Sequence, residues 1–125
     1  MRIGVIGTPL ARKDGRVKID QYGIYWVNLD PVMGAEISKT RPVVIVSDDL
    51  MNRHLKTVVG CPLTSSLHPG WQSRIQMTCA GKPDEIAVDQ IRTLSKERLV
   101  SKIGRLAPEK CQLLRRKISE MYGAG

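Results

Sequence analysis

Phenylalanine is absent from this chain, and its only aromatic residues besides histidine are Trp26, Trp71, Tyr22, Tyr25 and Tyr122. Leucine, isoleucine and valine must therefore fill the core, and a partner that binds by stacking finds few platforms. Cysteine is sparse and odd in number, with Cys61, Cys79 and Cys111 and no C-x-x-C pair. That usage argues against a disulfide framework and for a reducing, cytoplasmic setting. His54 and His68 are the only histidines. Neither has a carboxylate or cysteine at metal-ligand spacing, so no metal site is expected. Nor does the Gly4–Gly7 stretch have the G-x-G-x-x-G spacing of a nucleotide loop, and no cofactor is called for. No run approaches the roughly 18 apolar residues of a membrane span, and Met1–Leu10 is too short and glycine-broken for a secretory signal. A soluble chain with no membrane partner is expected.

Acidic residues are also in short supply. Twenty Lys and Arg face twelve Asp and Glu, a formal charge of +8, which suits a polyanionic partner but leaves RNA, DNA and an acidic protein open.

At 125 residues the chain is long enough for one domain with a single modest core. Residues 1–20 carry Arg12, Lys13, Arg16 and Lys18 around a glycine and read as a basic arm, or as an added edge strand over Ile3–Ile6. Residues 21–123 read as the domain. Alternation and β-branched runs predict strands at Ile24–Leu29, Val43–Val46, Val58–Pro62, Gln72–Thr78, Ile86–Leu94 and Lys102–Leu106. The continuous apolar run Val43–Val46 suits a central strand covered on both faces. Asp48 and Asp49 cap a helical turn through Arg53, Gly81–Asp84 forms a turn, and Ser95–Leu99 makes another helical turn. Pro108 opens a closing helix that would bury Cys111, Leu114, Ile118 and Met121. Many short strands followed by one helix predict a mainly β fold, a small barrel with a C-terminal α-helix.

The chemistry gathers between the first two strands. The loop between them bends at Gly34 and carries Glu36, Lys39 and Arg41, and Pro42 pushes Arg41 into extended backbone at the head of the second strand. Two later segments add polar groups to apolar runs: Thr57–Ser66 ends in the hydroxyls Thr64, Ser65 and Ser66, and Glu85–Leu94 contains Asp89, Gln90 and Arg92. On the residues alone, the charged loop reads equally as a solvated turn. Thr64 and Ser65 read as turn residues satisfying their own backbone, and Asp89 as a strand-end residue holding a loop amide or Arg92.

In this order the segments resemble the MazF/PemK (Kid) family of toxin ribonucleases from bacterial toxin–antitoxin pairs. The matching elements are W-V-x-L-D-P, a G-x-E loop, T-R-P at the start of strand two, P-L-T-S at the end of strand three, and D-Q-I-R-T. The resemblance runs from about Tyr22 to Tyr122. It implies an SH3-like barrel of the MazF/CcdB type, a homodimer, an acidic cognate antitoxin, and metal-independent, sequence-selective cleavage of single-stranded RNA. Arg41, Thr64 and Glu36 become the catalytic candidates. Ser65, Lys39, Asp89, Gln90 and Arg74 become the substrate-binding ones, Arg74 because it would stand on the polar side of the fourth strand. Departures from the pattern are Ala35 and Ala87, where the Kid branch has histidine and a catalytic arginine, and Ile37, where many relatives have glutamine. The set that remains fits the MazF branch. A gyrase poison like CcdB, which shares the barrel, is the alternative, and a passive RNA-binding module is a third reading.

Overall fold

The computed structural model describes Thr8–Pro9 and residues 18–123. Eight strands lie among the described residues: β1 Thr8–Pro9, β2 Gly23–Asn28, β3 Thr40–Ile45, β4 Thr57–Thr64, β5 Arg74–Cys79, β6 Lys82–Ala87, β7 Arg92–Ser95 and β8 Leu99–Arg105. Helix α1 spans Asp49–His54 and helix α2 spans Pro108–Tyr122. The strands form one antiparallel sheet in the order β1-β8-β2-β3-β4-β6-β5, with β7 also paired to β4. This is the mainly β architecture with a C-terminal helix that the sequence predicts.

The central strand carries the pattern furthest. In β3, Val43, Val44 and Ile45 are all fully buried, because alternate side chains feed two different apolar clusters. Val44 joins Ile24, Cys61, Leu63, Ile86, Leu106, Cys111 and Leu114 beneath α2. Val43 and Ile45 join Tyr25, Val27, Leu29, Val58, Leu94 and Leu99 on the opposite side. Helix α2 begins as expected with proline in its first turn. It buries Cys111 and Leu114, but Met121 is exposed, and the last turn is held instead by the Tyr122 hydroxyl donating to the Val88 carbonyl at 2.8 Å. Helix α1 is capped by the Asp48 carboxylate, which accepts from the Met51 amide at 2.8 Å.

Three expectations change in detail. The turn expected at Gly81–Asp84 lies one residue earlier, at Ala80 and Gly81, both with positive φ (51° and 79°). Two such residues make the tight hairpin that pairs Cys79 with Lys82, so Lys82, Pro83 and Asp84 belong to β6. The single strand expected over Ile86–Leu94 is two strands, β6 and β7, separated by a three-residue 3₁₀ turn at Val88–Gln90. β4 explains the break. It pairs with β7 through Thr57–Gly60 and with β6 through Leu63–Thr64, and the register changes between the two, so the connecting residues loop out. β4 also runs to Thr64, which therefore sits in a strand rather than in the following turn. Finally, the edge strand expected over Ile3–Ile6 lies outside the described residues, whereas Thr8 and Pro9 pair with Lys102 and Ser101 of β8.

Leu114 is fully buried where α2 meets the sheet. Leu114→Ala is expected to cost about 3 kcal/mol through lost burial and a residual cavity, read as a lower urea midpoint at unchanged slope.

Candidate active site

The geometry starts from strand register. Val43 pairs with Pro62, so two residues further out Arg41 comes level with Thr64. Thr64 pairs with Glu85 and Glu85 with Gln76. A polar row thus crosses β3, β4, β6 and β5.

Arg41 is one-quarter exposed and is aimed by two acceptors: Nε donates to the Leu63 carbonyl at 3.1 Å and Nη2 to the Asp84 carboxylate at 3.2 Å. Its Nη1 meets no acceptor among the described residues, so one edge of the fork is presented outward. Burial pushes the Asp84 carboxyl up, and the Arg41 guanidinium partly pulls it back. Thr64 is nearly buried and its Oγ1 accepts from the Ser66 amide at 3.1 Å. This is the local turn bond anticipated for it, and it leaves the hydroxyl proton free to donate. Ser65 is exposed beside it.

Behind the row lies a buried charge network. Glu85 is fully buried and accepts from Arg74 Nη1 at 3.1 Å, Gln76 Nε2 at 2.6 Å and the His68 amide at 2.7 Å. Burial alone would raise its carboxyl, but the hydrogen bonds from Gln76, Arg74 and His68 outweigh that and hold it below the usual glutamate range. Arg74 also donates from Nε to Asp89 at 2.9 Å and from Nη1 to the Ser66 carbonyl at 3.2 Å. Asp89 is likewise held below its ordinary value. Burial pushes it up, and hydrogen bonds from Arg74 and Ser73 pull it further down.

The loop between β2 and β3 forms the other wall. It is closed at its base by the Leu29 amide donating to the Lys39 carbonyl and the Lys39 amide donating to Asp30 Oδ1. Gly34 makes the bend with φ of 59°. Glu36 accepts from the Met33 amide at 2.7 Å, and Gln90 Oε1 accepts from the Ile37 amide at 2.7 Å. Ala35 and Glu36 face Asp89, Gln90, Ile91 and Arg92 across a cleft of about 360 Å³. Among the described residues, no three His, Cys, Asp or Glu side chains converge to hold a metal ion.

The sequence and the fold of this chain both have parallels among known proteins. A family model described as a PemK-like, MazF-like toxin of type II toxin–antitoxin systems matches residues 20–122. The chain belongs to that family. It is 27% identical over 105 residues to the endoribonuclease toxin MazF of Escherichia coli K12, covering 83% of this chain and 94% of that protein. It is 29% identical over 91 residues to endoribonuclease EndoA of Bacillus subtilis 168, covering 69% and 78%. In fold it is similar to the crystal structure of MazF from Deinococcus radiodurans, with a TM-score of 0.75, 21% identity, and 85% and 97% of the two chains covered. It is also similar in fold to a mycobacterial endoribonuclease in complex with its cognate antitoxin, with a TM-score of 0.68, 21% identity, and 86% and 96% covered.

Within this MazF-like chain the sequence-derived residues fall into two groups. Arg41, Thr64 and Ser65 gather at the ends of β3 and β4, while Glu36, Asp89 and Gln90 meet at the cleft. Lys39 is exposed at the loop base with φ of 69°. The carboxylate that orients Arg41 is Asp84, while Glu36 binds its own loop amide and Gln90 holds that loop at the cleft. Two expectations are revised. Arg74 is not an open contact on the polar face of its strand. Its side chain is only 6% exposed and is committed to Glu85, Asp89 and the Ser66 carbonyl. Asp89 accordingly pairs with Arg74 rather than Arg92. Sequence reading missed Asp84 and Glu85, which it placed in a turn and at a strand start. An acid inside the apolar run Glu85–Val88, nearby in sequence to Arg74, was the available signal.

The depressed carboxyls set a pH dependence. A carboxylate with a lowered folded-state pKa contributes stability above its ordinary value, 4.5 for Glu and 3.8 for Asp, and that contribution is lost as pH falls through the folded value. Glu85→Gln should therefore flatten the loss of stability below about pH 4.5, measured by chemical denaturation across the acid range.

Proposed function

We propose that this chain is the toxin of a type II toxin–antitoxin pair and acts as a metal-independent, sequence-selective endoribonuclease on single-stranded RNA, mRNA included, inhibiting translation and growth. The observation that carries this reading is Arg41, held level with Thr64 by strand pairing and fixed by Leu63 and Asp84 so that one edge of its guanidinium faces outward. The curated relatives of the family, named endoribonucleases, support it.

The reaction fits the groups present. The ribose 2′-hydroxyl attacks the adjacent phosphorus, and the developing charge on the phosphate oxygens needs fixed donors. Arg41 supplies two charged N–H groups at its outward edge, permanently protonated and therefore a stabiliser rather than a free base. The Thr64 hydroxyl donates to a non-bridging oxygen. Glu36 completes the catalytic set as the loop carboxylate that accepts a proton or orients the ribose. Ser65 and Lys39 bind the backbone, and Gln90 and Asp89 read base edges in the cleft, since unpaired bases expose their edges. Nothing in the site or in the named relatives favours the gyrase-poison alternative.

Residues 21–123 form the toxin domain in this reading and 1–20 a basic appendage. We place the protein in the cytoplasm as a homodimer. No described helix is long and apolar enough to cross a membrane. Its formal charge of +8 suits both RNA and an acidic antitoxin segment folding across the same groove. The antitoxin complex of a fold relative supports that partner class.

Arg41→Ala is expected to keep the fold and lower cleavage at least about a hundredfold, the size of losing one preorganised charged donor. Thr64→Val should lose less, about tenfold, because a neutral hydrogen bond is removed. Single-turnover assays on a long RNA measure both, and activity within a few-fold of native removes the residue from the site.

Cleavage should also persist in excess EDTA and leave a 5′-hydroxyl on the downstream fragment. An RNA carrying a 2′-deoxy sugar at the cut site should resist. Cleavage of that substrate would refute attack by the 2′-hydroxyl.

A further inference from the structure

Arg74 joins three chain segments behind the proposed groove while its own side chain is almost fully buried. Its guanidinium binds the Ser66 carbonyl in the loop after β4, Glu85 in β6 and Asp89 in the 3₁₀ turn. It lies over the Trp71 ring at 4.8 Å, and Trp71 in turn stacks on His68 at 3.8 Å with planes 9° apart. The loop is tied to the same hub twice more. The His68 amide donates to Glu85 at 2.7 Å, and the Ser73 carbonyl accepts from the Val88 amide at 3.0 Å. Asp89, at the far side of the guanidinium, is a wall of the cleft that also holds Gln90.

We propose that Arg74 is a positioning residue for RNA selection: it locks the Ser65–Ser73 loop and the Asp89–Gln90 wall into one rigid body, so that unpaired bases meet a preformed surface. The inference rests on the endoribonuclease reading and assigns Arg74 a role other than direct contact. Three observations carry it. The planar guanidinium spreads its donors in a fixed geometry over acceptors on three chain segments, whereas a lysine offers one compact point charge. The Arg74–Glu85 pair is almost fully desolvated, and buried ion pairs generally add little net stability, so stability alone is a weak reason for its presence. The loop it restrains is otherwise exposed at Ser65, Leu67 and Trp71, and an exposed loop left free would have to be ordered by each substrate.

The test uses Arg74→Lys, which keeps a charge beside Glu85, and the double variant Arg74→Met/Glu85→Gln, which leaves no unpaired buried charge. Both are expected to fold, as checked by denaturation. In steady-state cleavage of short RNAs, KM should rise about tenfold while kcat stays within about threefold. Discrimination between the preferred word and a single-base variant should fall by a similar factor. Unchanged KM and discrimination in both variants overturns the proposal, as does a loss confined to kcat. Failure of both variants to fold also overturns it, by assigning the network to stability. A native protein that cleaves no RNA removes the functional reading itself, an outcome seen before any variant is made.

Discussion

The hydrogen-bond ladder of β4 is the constraint on which the site depends. Along one side β4 pairs with β3, and along the other it changes partner from β7 to β6. Buried backbone groups must be paired, so the residues that cannot join either ladder are forced out as the Val88–Gln90 turn. That turn delivers Asp89 and Gln90 to the cleft. The same strand ends in Leu63, whose carbonyl aims Arg41, and Thr64, which stands beside it. Gly60 secures the close approach of β3, since a Cβ there would meet Val43 Cγ1 at 2.6 Å. One strand thereby fixes both the charged centre and the groove wall.

The charge distribution is less simple than the excess of basic residues suggests. Asp84, Glu85 and Asp89 all lie close to the reactive row, in a chain with a strong positive balance. Each is matched by an arginine, Asp84 by Arg41 and the other two by Arg74. Paired in this way the carboxylates orient guanidinium groups at the cost of desolvation, and they leave the local field to the outward edge of Arg41 and to exposed Lys39. Net charge suits a polyanionic partner, and it carried no information about where the charge is spent.

Much of this was legible in the sequence. β-branched runs placed β2, β3 and β4, and Pro42 fixed the extended backbone of Arg41. Asp48 marked the cap of α1 and Pro108 the start of α2. The errors have a common physical origin. Ile86–Leu94 looked like one strand because its composition is uniform, and only long-range pairing with β4 breaks it. The hairpin at Ala80–Gly81 was hidden because alanine rarely adopts positive φ. Arg74 was read by alternation as an outward polar residue, although Glu85 and Asp89, 11 and 15 residues further along the chain, draw it inward. Local rules located elements, while tertiary pairing decided which charges were free.

The loop between β2 and β3 is sealed at its neck by the bonds between Leu29, Asp30 and Lys39. A segment closed in this way hangs from the barrel as a cassette. Its length and composition can drift at a cost that grows only slowly with added residues, while the strands beneath keep their register. The bond from the Ile37 amide to Gln90 is the seam any replacement has to reproduce. Evolution, or an engineer grafting loops between relatives, therefore has a module whose exchange alters one wall of the groove and spares the guanidinium that faces it.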